Sequence, residues 1–361
     1  MRLACGYNHH IYTGELLPHN DVCIIELGFK AYNTIFLKTP PPNILEKMQL
    51  SLHISRSPIT ESMQYQDSFI DEKLLGLKED KRIISIGFHL CGDRSDNIGQ
   101  FGFSSHYNKN ESSENNAIQF LKKVHKYTEK DVWLENANFY SSSVNEIIQN
   151  WKSFNHIVKE SGAGSIIDLS HLIIDCQNNG ICPSMMIGFI DWESVVEIHL
   201  SGIVIGKDGS FHDGHGSQVH DLVWVMLEHL LKAKLIDNRI IYNIEHSDGN
   251  WLEKIDIYNN DFEKLKSTLG KNFSEGERNE KSKEYATLYL KKLLIQEVEN
   301  IEEISAFFKT PTSDLLNEWI EYIMKTEKRI ALSIDDMDSL ISKKSIHFTQ
   351  SFADFIEKKQ Q

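Results

Sequence analysis

Residues Val195–Gly216 read VVEIHLSGIVIGKDGSFHDGHG. The stretch begins as a short apolar run that ends on His199, then opens into a glycine-rich segment carrying His212, Asp213 and His215. A short apolar run bounded by glycine is the pattern of a buried strand, and here metal-binding side chains stand where the strand gives way to a loop. A single histidine at a strand end is more often an ordinary hydrogen-bonded residue than a ligand. The argument therefore rests on how often the arrangement recurs.

Working outward, Val219–Leu235 is a strongly apolar helical pattern, and the next run, Arg239–His246 (RIIYNIEH), carries Glu245 near its end. Upstream, Ser165–Leu172 (SIIDLSHL) supplies Asp168 and His171, and Asp131–Asn138 (DVWLENAN) supplies Glu135. Lys81–Leu90 (KRIISIGFHL) ends near His89, and Gln49–Arg56 (QLSLHISR) near His53. Asp21–Leu27 (DVCIIEL) and Met1–Cys5 complete the set. Each run is too short and too uniformly apolar for a surface helix, as expected of parallel strands buried on both faces.

Between the runs lie helical patterns, such as the one marked by Ala117, Phe120, Leu121 and Val124, and Val144–Lys159, broken by Gly162 and Gly164. Pro40, Pro41 and Pro42 open a short helix, residues 57–80 have no clean period, and Gly92–Asn115 reads as a long surface loop. Eight strands alternating with helices within about 250 residues predict an α/β fold, a (β/α)8 TIM-type barrel over residues 1–250. Residues 251–361 show helical patterns only, including Tyr285–Phe308 and Leu315–Met324, with turns at KNFSEGE and KTPTS, and predict a helical C-terminal extension.

In such a barrel the carboxyl ends of the strands form one mouth, and His53, His89, Glu135, Asp168, His199 and Glu245 each come late in their own strand. One buried ionisable residue is usually a salt bridge or a hydrogen bond; six at one mouth with few lysines or arginines beside them call for a cation. With His171, Asp213 and His215 the candidates outnumber the roughly four to six ligands that one ion accepts, so two or three ions are expected. Imidazole and carboxylate without thiolate suit Fe, Mn or Zn. His125, His156, His229 and His347 fall in predicted helices and His9, His10 and His19 in the first loop, away from this set.

The formal net charge of −14 argues against a broad nucleic-acid or anionic-membrane surface. Five cysteines without CxxC spacing, and neither a signal-peptide pattern nor a long apolar segment, fit a reducing cytoplasm. A Zn- or Mn-dependent sugar isomerase or endonuclease-like barrel would also gather His, Asp and Glu at strand ends. The first usually has a lysine among its ligands and the second a basic groove, and neither is visible. A non-catalytic metal-binding peptide scaffold is the reading from another class.

At LEN (Leu134–Asn136), the pair Asp168–Leu169, EIHLSG (Glu197–Gly202), DGH (Asp213–His215) followed by Val219 and Trp224, and IEH (Ile244–His246), the chain resembles the multinuclear non-heme iron-dependent oxidative enzymes. The resemblance covers roughly residues 1–250, and DLSHL is most similar to the methanobactin-biosynthesis branch. It implies iron, two to three ions of mixed Fe(II)/Fe(III) state, with O2 as co-substrate. It also implies a Cys-containing precursor peptide (MbnA-like), a peptide-binding partner protein (MbnC-like), and conversion of cysteine into an oxazolone with a neighbouring thioamide. Carried onto this sequence, the family pattern makes His53, His89, Glu135, Asp168, His199 and Glu245 ligands of an iron pair, with Asn138, His171, Asp213 and His215 around a further metal position. ENAN offers both Asn136 and Asn138 at this step, and Asn138 is taken as the ligand. HLCGDRS departs from the Gly-Ser-rich version of many relatives.

Overall fold

The computed structural model describes residues 2–36, 45–92, 109–181, 183–271 and 301–310, with 314–315, 318–319, 322 and 355–359. The predicted Pro40–Pro42 helix, most of the 92–115 loop, the start of the Tyr285–Phe308 helix and most of Leu315–Met324 lie outside the described residues.

All eight expected strands are present. They are β1 (Arg2–Gly6), β2 (Val22–Gly28), β3 (Gln49–Ile54), β4 (Ile83–His89), β5 (Asp131–Glu135), β6 (Gly164–Asp168), β7 (Val195–Leu200) and, after a two-stranded ribbon of β8 (Ile203–Ile205) and β9 (Phe211–Asp213), β10 (Ile241–Ile244). The eight are parallel and close into a barrel in the order β1-β10-β7-β6-β5-β4-β3-β2. Its helices are α1 (His9–Thr13), α2 (Phe29–Ala31), α3 (Met63–Phe69), α4 (Glu111–Thr128), α5 (Val144–Ser161), α6 (Leu169–Asn178), α7 (Asp221–Lys232) and α8 (Ile255–Leu269). A (β/α)8 barrel is therefore the architecture.

The differences from the sequence reading have physical causes. DVWLENAN stops being a strand at Glu135: the Asn136 N–H still reaches the Ile166 carbonyl at 3.4 Å, but beyond it the backbone N–H and carbonyl of Asp168 are taken up by the Asn136 side chain. SIIDLSHL is strand only to Asp168; the carboxylate of Asp168 accepts the N–H of His171 at 2.7 Å and starts α6, so His171 lies on a helix. The loop read as ending at Asn115 gives way earlier to α4, capped by Asn110, whose side chain accepts the N–H of Ser113. Residues 57–80, aperiodic in sequence, hold α3 and a π-helical turn over Ile70–Leu74. The glycine-rich segment after His199 is the β8–β9 ribbon.

Two clusters of opposite character fill the barrel interior. Ala4, Ile24, Trp133, Ile166 and Ile241 pack as an apolar cluster. Further along the same strands come the buried polar residues Glu26, Ser51, Ser85, Glu197 and Asn243, and then the strand ends. The period of two puts Ile24 and Glu26, Ile166 and Asp168, or Ile241 and Asn243 on one face of their strands. The compact barrel unit comprises Met1–Gly180 and Asp191–Asn272, so α8 clusters with the strands. A second unit, Ile181–Ile190 with Phe273–Gln361, includes the 3-10 helix Pro183–Phe189 and a helix over Ile301–Phe308. No helix among the described residues is long and apolar enough to cross a membrane.

Candidate metal centre

Nine of the ten expected ligands meet in a network of short contacts around one side chain, Glu135, which is fully buried at the end of β5. Register sets this up: His89 of β4 faces Glu135 directly, and Asp168 of β6 faces His199 of β7. Glu135 Oε2 contacts His53 Nε2 and lies 3.2 Å from His89 Nε2, while Oε1 lies 3.6 Å from both His199 Nδ1 and His171 Nδ1. Glu245, one residue past β10, reaches His199 Nδ1 at 3.4 Å and His215 Nε2 at 3.6 Å.

Among the described residues five groups have donor atoms within 4.8 Å of one another; two contain Glu26 (Glu26, Glu197 and His199; Glu26, His53 and Glu245), and three consist of the expected ligands alone: His53, His89 and Glu135; Glu135, Asp168 and His199; and His171, Asp213 and His215. Glu135 belongs to two of them, the arrangement in which a carboxylate bridges two ions. The third group is built off the barrel, from α6 and the ribbon. His171 Nδ1–H donates to the Asn136 carbonyl at 2.9 Å, and His215 Nδ1 is 3.0 Å from Ser247 Oγ. Both imidazoles therefore turn Nε2 toward Asp213 Oδ2, at 3.4 and 3.0 Å. Holding one ring nitrogen so that the other faces inward is how proteins orient metal-ligating histidines.

The asparagine step resolves into two roles. Asn136 Nδ2 donates to the Asp168 carbonyl and its Oδ1 accepts the Asp168 N–H, so its amide is fully engaged by backbone. The buried Asn138 amide has no such engagement, and neither its oxygen nor its nitrogen has a hydrogen-bond partner. The same holds for both oxygens of Glu135, Oδ2 of Asp168, Oε2 of Glu245, Nδ1 of His199, both ring nitrogens of His89 and Nε2 of His215. Buried polar atoms are normally hydrogen-bonded, so nitrogen and oxygen atoms that converge on one region in ion-pair contacts with no aligned hydrogen bond fit a ligand set.

Two carboxylates that the sequence reading passed over also belong here. Glu26 of β2 and Glu197 of β7 are buried beside His199, at 3.3 and 3.4 Å from its Nε2. The signal was present: each is an acidic residue inside an apolar run, and Glu197 lies two residues before His199 on the same face.

The charges are strongly coupled. Burial alone would raise Glu135, but the imidazoles of His89, His53 and His199 hold it well below its ordinary value. Burial opposes charge on His53, yet Glu135 and Glu26 lift it to about 9. His171 and His199 are likewise raised against burial by their carboxylates. Asp168 rises to about 7, first by burial and then by the repulsion of Glu245, Glu135 and Asp213, which outweighs His171. Burying an unpaired ion costs several kcal/mol, so six carboxylates here need either imidazolium protons or metal cations. A cavity of about 510 Å³ opens over the cluster, and among the described residues no lysine or arginine lines it. The donor set fits multinuclear metal ligation by nitrogen and oxygen.

Residues 106–243 match the family described as "RiPP precursor modification enzyme MbnB/TglH/ChrH". The chain is 22% identical over 123 residues to a UPF0276 protein of Psychromonas ingrahamii, covering 33% of this chain and 43% of that one. It is 24% identical over 113 residues to a UPF0276 protein of Alcanivorax borkumensis, covering 30% and 38%. The alignments thus span about two fifths of the length of these relatives. Among solved structures, D-psicose 3-epimerase with D-fructose gives a TM-score of 0.45 at 10% identity, covering 75% of this chain and 100% of that one. SacUVDE gives 0.41 at 14%, covering 74% and 99%. The family match, confined to residues 106–243, contains Glu135, Asn138, Asp168, His171, His199, Asp213 and His215, and over that stretch the chain is similar to the MbnB/TglH/ChrH RiPP precursor modification enzymes.

Proposed function

We propose that this protein is an iron- and O2-dependent enzyme that oxidises a cysteine of a ribosomally made precursor peptide, forming the oxazolone and thioamide of a methanobactin-type copper chelator. It acts with a peptide-binding partner protein (MbnC-like) on an MbnA-like peptide, in the cytoplasm. The observation that carries the reading is the gathering of five imidazoles and six carboxylates at one barrel mouth, with no lysine or arginine lining it among the described residues and with Glu135 shared between two donor groups. The family match supports a ribosomally made peptide as substrate class.

In this reading His53, His89 and Glu135 hold one ion and Glu135, Asp168, His199 and Glu245 a second. Asn138, His171, Asp213 and His215 surround a third. Iron bound there supplies a Lewis acid that ionises the cysteine thiol and electrons for O2. The side chains do the rest. The carboxylates balance the cations, so the assembly stays near neutrality in a buried site. His171 and His215, tied at Nδ1, keep Nε2 aimed inward. Tyr7 and Tyr140 line the cavity where a peptide segment enters, and a seated segment excludes water from the reacting cysteine. Four hydrogens leave the peptide for each oxazolone–thioamide unit, and one O2 takes them up as two waters.

The test is direct. Protein reconstituted anaerobically with Fe(II) is mixed with partner, precursor peptide and O2. The expected product has lost the mass of four hydrogens and gained a near-ultraviolet absorbance, and replacing the target cysteine by serine abolishes both. The same mass change without O2, or with iron-free protein, overturns the reading.

A further inference from the structure

Glu245 and His215 stand on different segments of the chain, and both segments lead to the same buried carboxylate. His246, the residue after Glu245, is hydrogen-bonded through Nε2 to Asp261 Oδ2 at 3.0 Å. Val219, a few residues after His215, donates its backbone N–H to that same oxygen, also at 3.0 Å. Asp261 lies midway along α8, beyond the 1–250 limit read from the sequence, and is closed off from solvent. The two segments also meet each other, since a Cβ on Gly249 would stand 3.4 Å from Gly216 Cα. Lys254, at the start of α8, donates to the Gly216 carbonyl at 3.0 Å.

We infer that Asp261 is a positioning residue for the metal centre, a clamp by which α8 sets the segments carrying Glu245 and His215 relative to one another. The inference rests on the metal-centre reading above. Burial of Tyr258, Phe262 and Leu265 fixes α8 against the barrel, so the shared oxygen has an anchored support. Val219 pairs with Gly202, which ties this point to the foot of the ribbon, and the His246 ring lies against Trp251 with centroids 3.8 Å apart. Moving either segment away would leave a buried polar group without its partner, which is unfavourable. His53, His89 and Glu135 end β3, β4 and β5 and lie outside the clamp.

Asp261→Leu and Asp261→Asn test this. The probe is Co(II) alone, bound anaerobically and titrated against a chelator, with urea midpoints measured in parallel. The leucine variant removes the acceptor. It should lose roughly 10-fold in affinity for the ions that Glu245 and His215 serve, while the ion held by His53, His89 and Glu135 stays at parental affinity. The asparagine variant, whose amide oxygen can accept the same two bonds, should bind every ion as the parent does. A leucine variant with a lowered urea midpoint and parental affinity throughout, or with an equal loss for every ion, makes Asp261 a packing residue and overturns the clamp. Asparagine as weak as leucine overturns it too, because the effect would then follow the charge. Should Asp261→Leu not fold, His246→Phe cuts one of the two bonds, keeps a ring against Trp251 and should weaken the ion that Glu245 serves; parental affinity there overturns the clamp. A parent that binds no Co(II) overturns the metal centre and the clamp with it.

Discussion

Asp168 Oδ1 accepts the backbone N–H of His171 at 2.7 Å, so the last residue of β6 is also the cap that starts α6, while its Oδ2 faces the donor cluster without a hydrogen bond, 3.9 Å from His171 Nε2. One oxygen serves the fold and the other the proposed centre. Asparagine caps helices as well as aspartate does, whereas alanine does not cap. Asp168→Asn should therefore keep the urea midpoint of the metal-free protein and lose bound iron, while Asp168→Ala should lose iron and about 0.5–2 kcal/mol of stability. Full iron content in both variants would remove Asp168 from the ligand set.

Glu135 belongs to two donor groups and His215 to a third. Anaerobically loaded Glu135→Gln should lose more than one equivalent of iron, because a bridging carboxylate serves two ions. His215→Ala should lose one. Metal analysis of the double variant should show the two losses adding, since no residue is common to both groups. A His215→Ala protein as depleted as Glu135→Gln would show one merged site.

Glycine at 202 is needed because the ribbon passes too close for a side chain. A Cβ there would stand 2.6 Å from the Gly214 carbonyl oxygen and 2.8 Å from that of Ser217. Gly202→Ala should cost about 1–3 kcal/mol by overpacking and deplete the position built from Asp213 and His215, leaving the Glu135 pair loaded. Parental stability and parental metal content would show that the ribbon moves aside freely.

Asp175 gives a pH signature away from the ligands. Its carboxylate accepts the Ser141 N–H at 2.6 Å and Oγ–H at 2.7 Å, and Ser141 Oγ accepts from Asn150, a knot that holds the segment after β5 against α6. Burial still raises its pKa from 3.8 to about 6, outweighing those two donors. A carboxyl with a raised folded pKa favours folding below its unfolded value, and that contribution disappears as pH rises from about 4 to about 6. Asp175→Asn removes the titration. Urea midpoints of the variant should gain on the parent by up to roughly 2–3 kcal/mol between pH 4 and pH 7, and a pH-independent difference would show that Asp175 does not carry the proton.

The barrel was legible because parallel strands buried on both faces leave nearly unbroken apolar runs, and DVCIIEL, KRIISIGFHL and VVEIHL are such runs. Strand-end histidines were legible for the same reason, since His53, His89 and His199 interrupt apolar sequence. What escaped was set by local side chain to backbone bonds. SIIDLSHL looks like eight residues of strand until the Asp168 cap is recognised, after which Leu169, Leu172, Ile173 and Cys176 fall at helical spacing. IVIGKDGSF contains a hairpin turn signal in its Asp-Gly step, masked by the surrounding glycines. Glu26 and Glu197 escaped because attention went to the last polar residue of each run, although the face of a strand repeats every second residue.

The third donor group differs from the other two in what carries it. His53, His89, Glu135, Asp168 and His199 end barrel strands, whose positions are locked by closure of the whole sheet. His171 sits in the first turn of α6, and Asp213 and His215 lie on and just after the β8–β9 ribbon, inserted between β7 and α7. Connections of this kind tolerate exchange without disturbing the scaffold. If the proposed centre forms, its nuclearity would therefore come in two separable parts: a pair specified by the barrel itself, and an additional position that an insertion between β7 and α7 could add, reshape or delete.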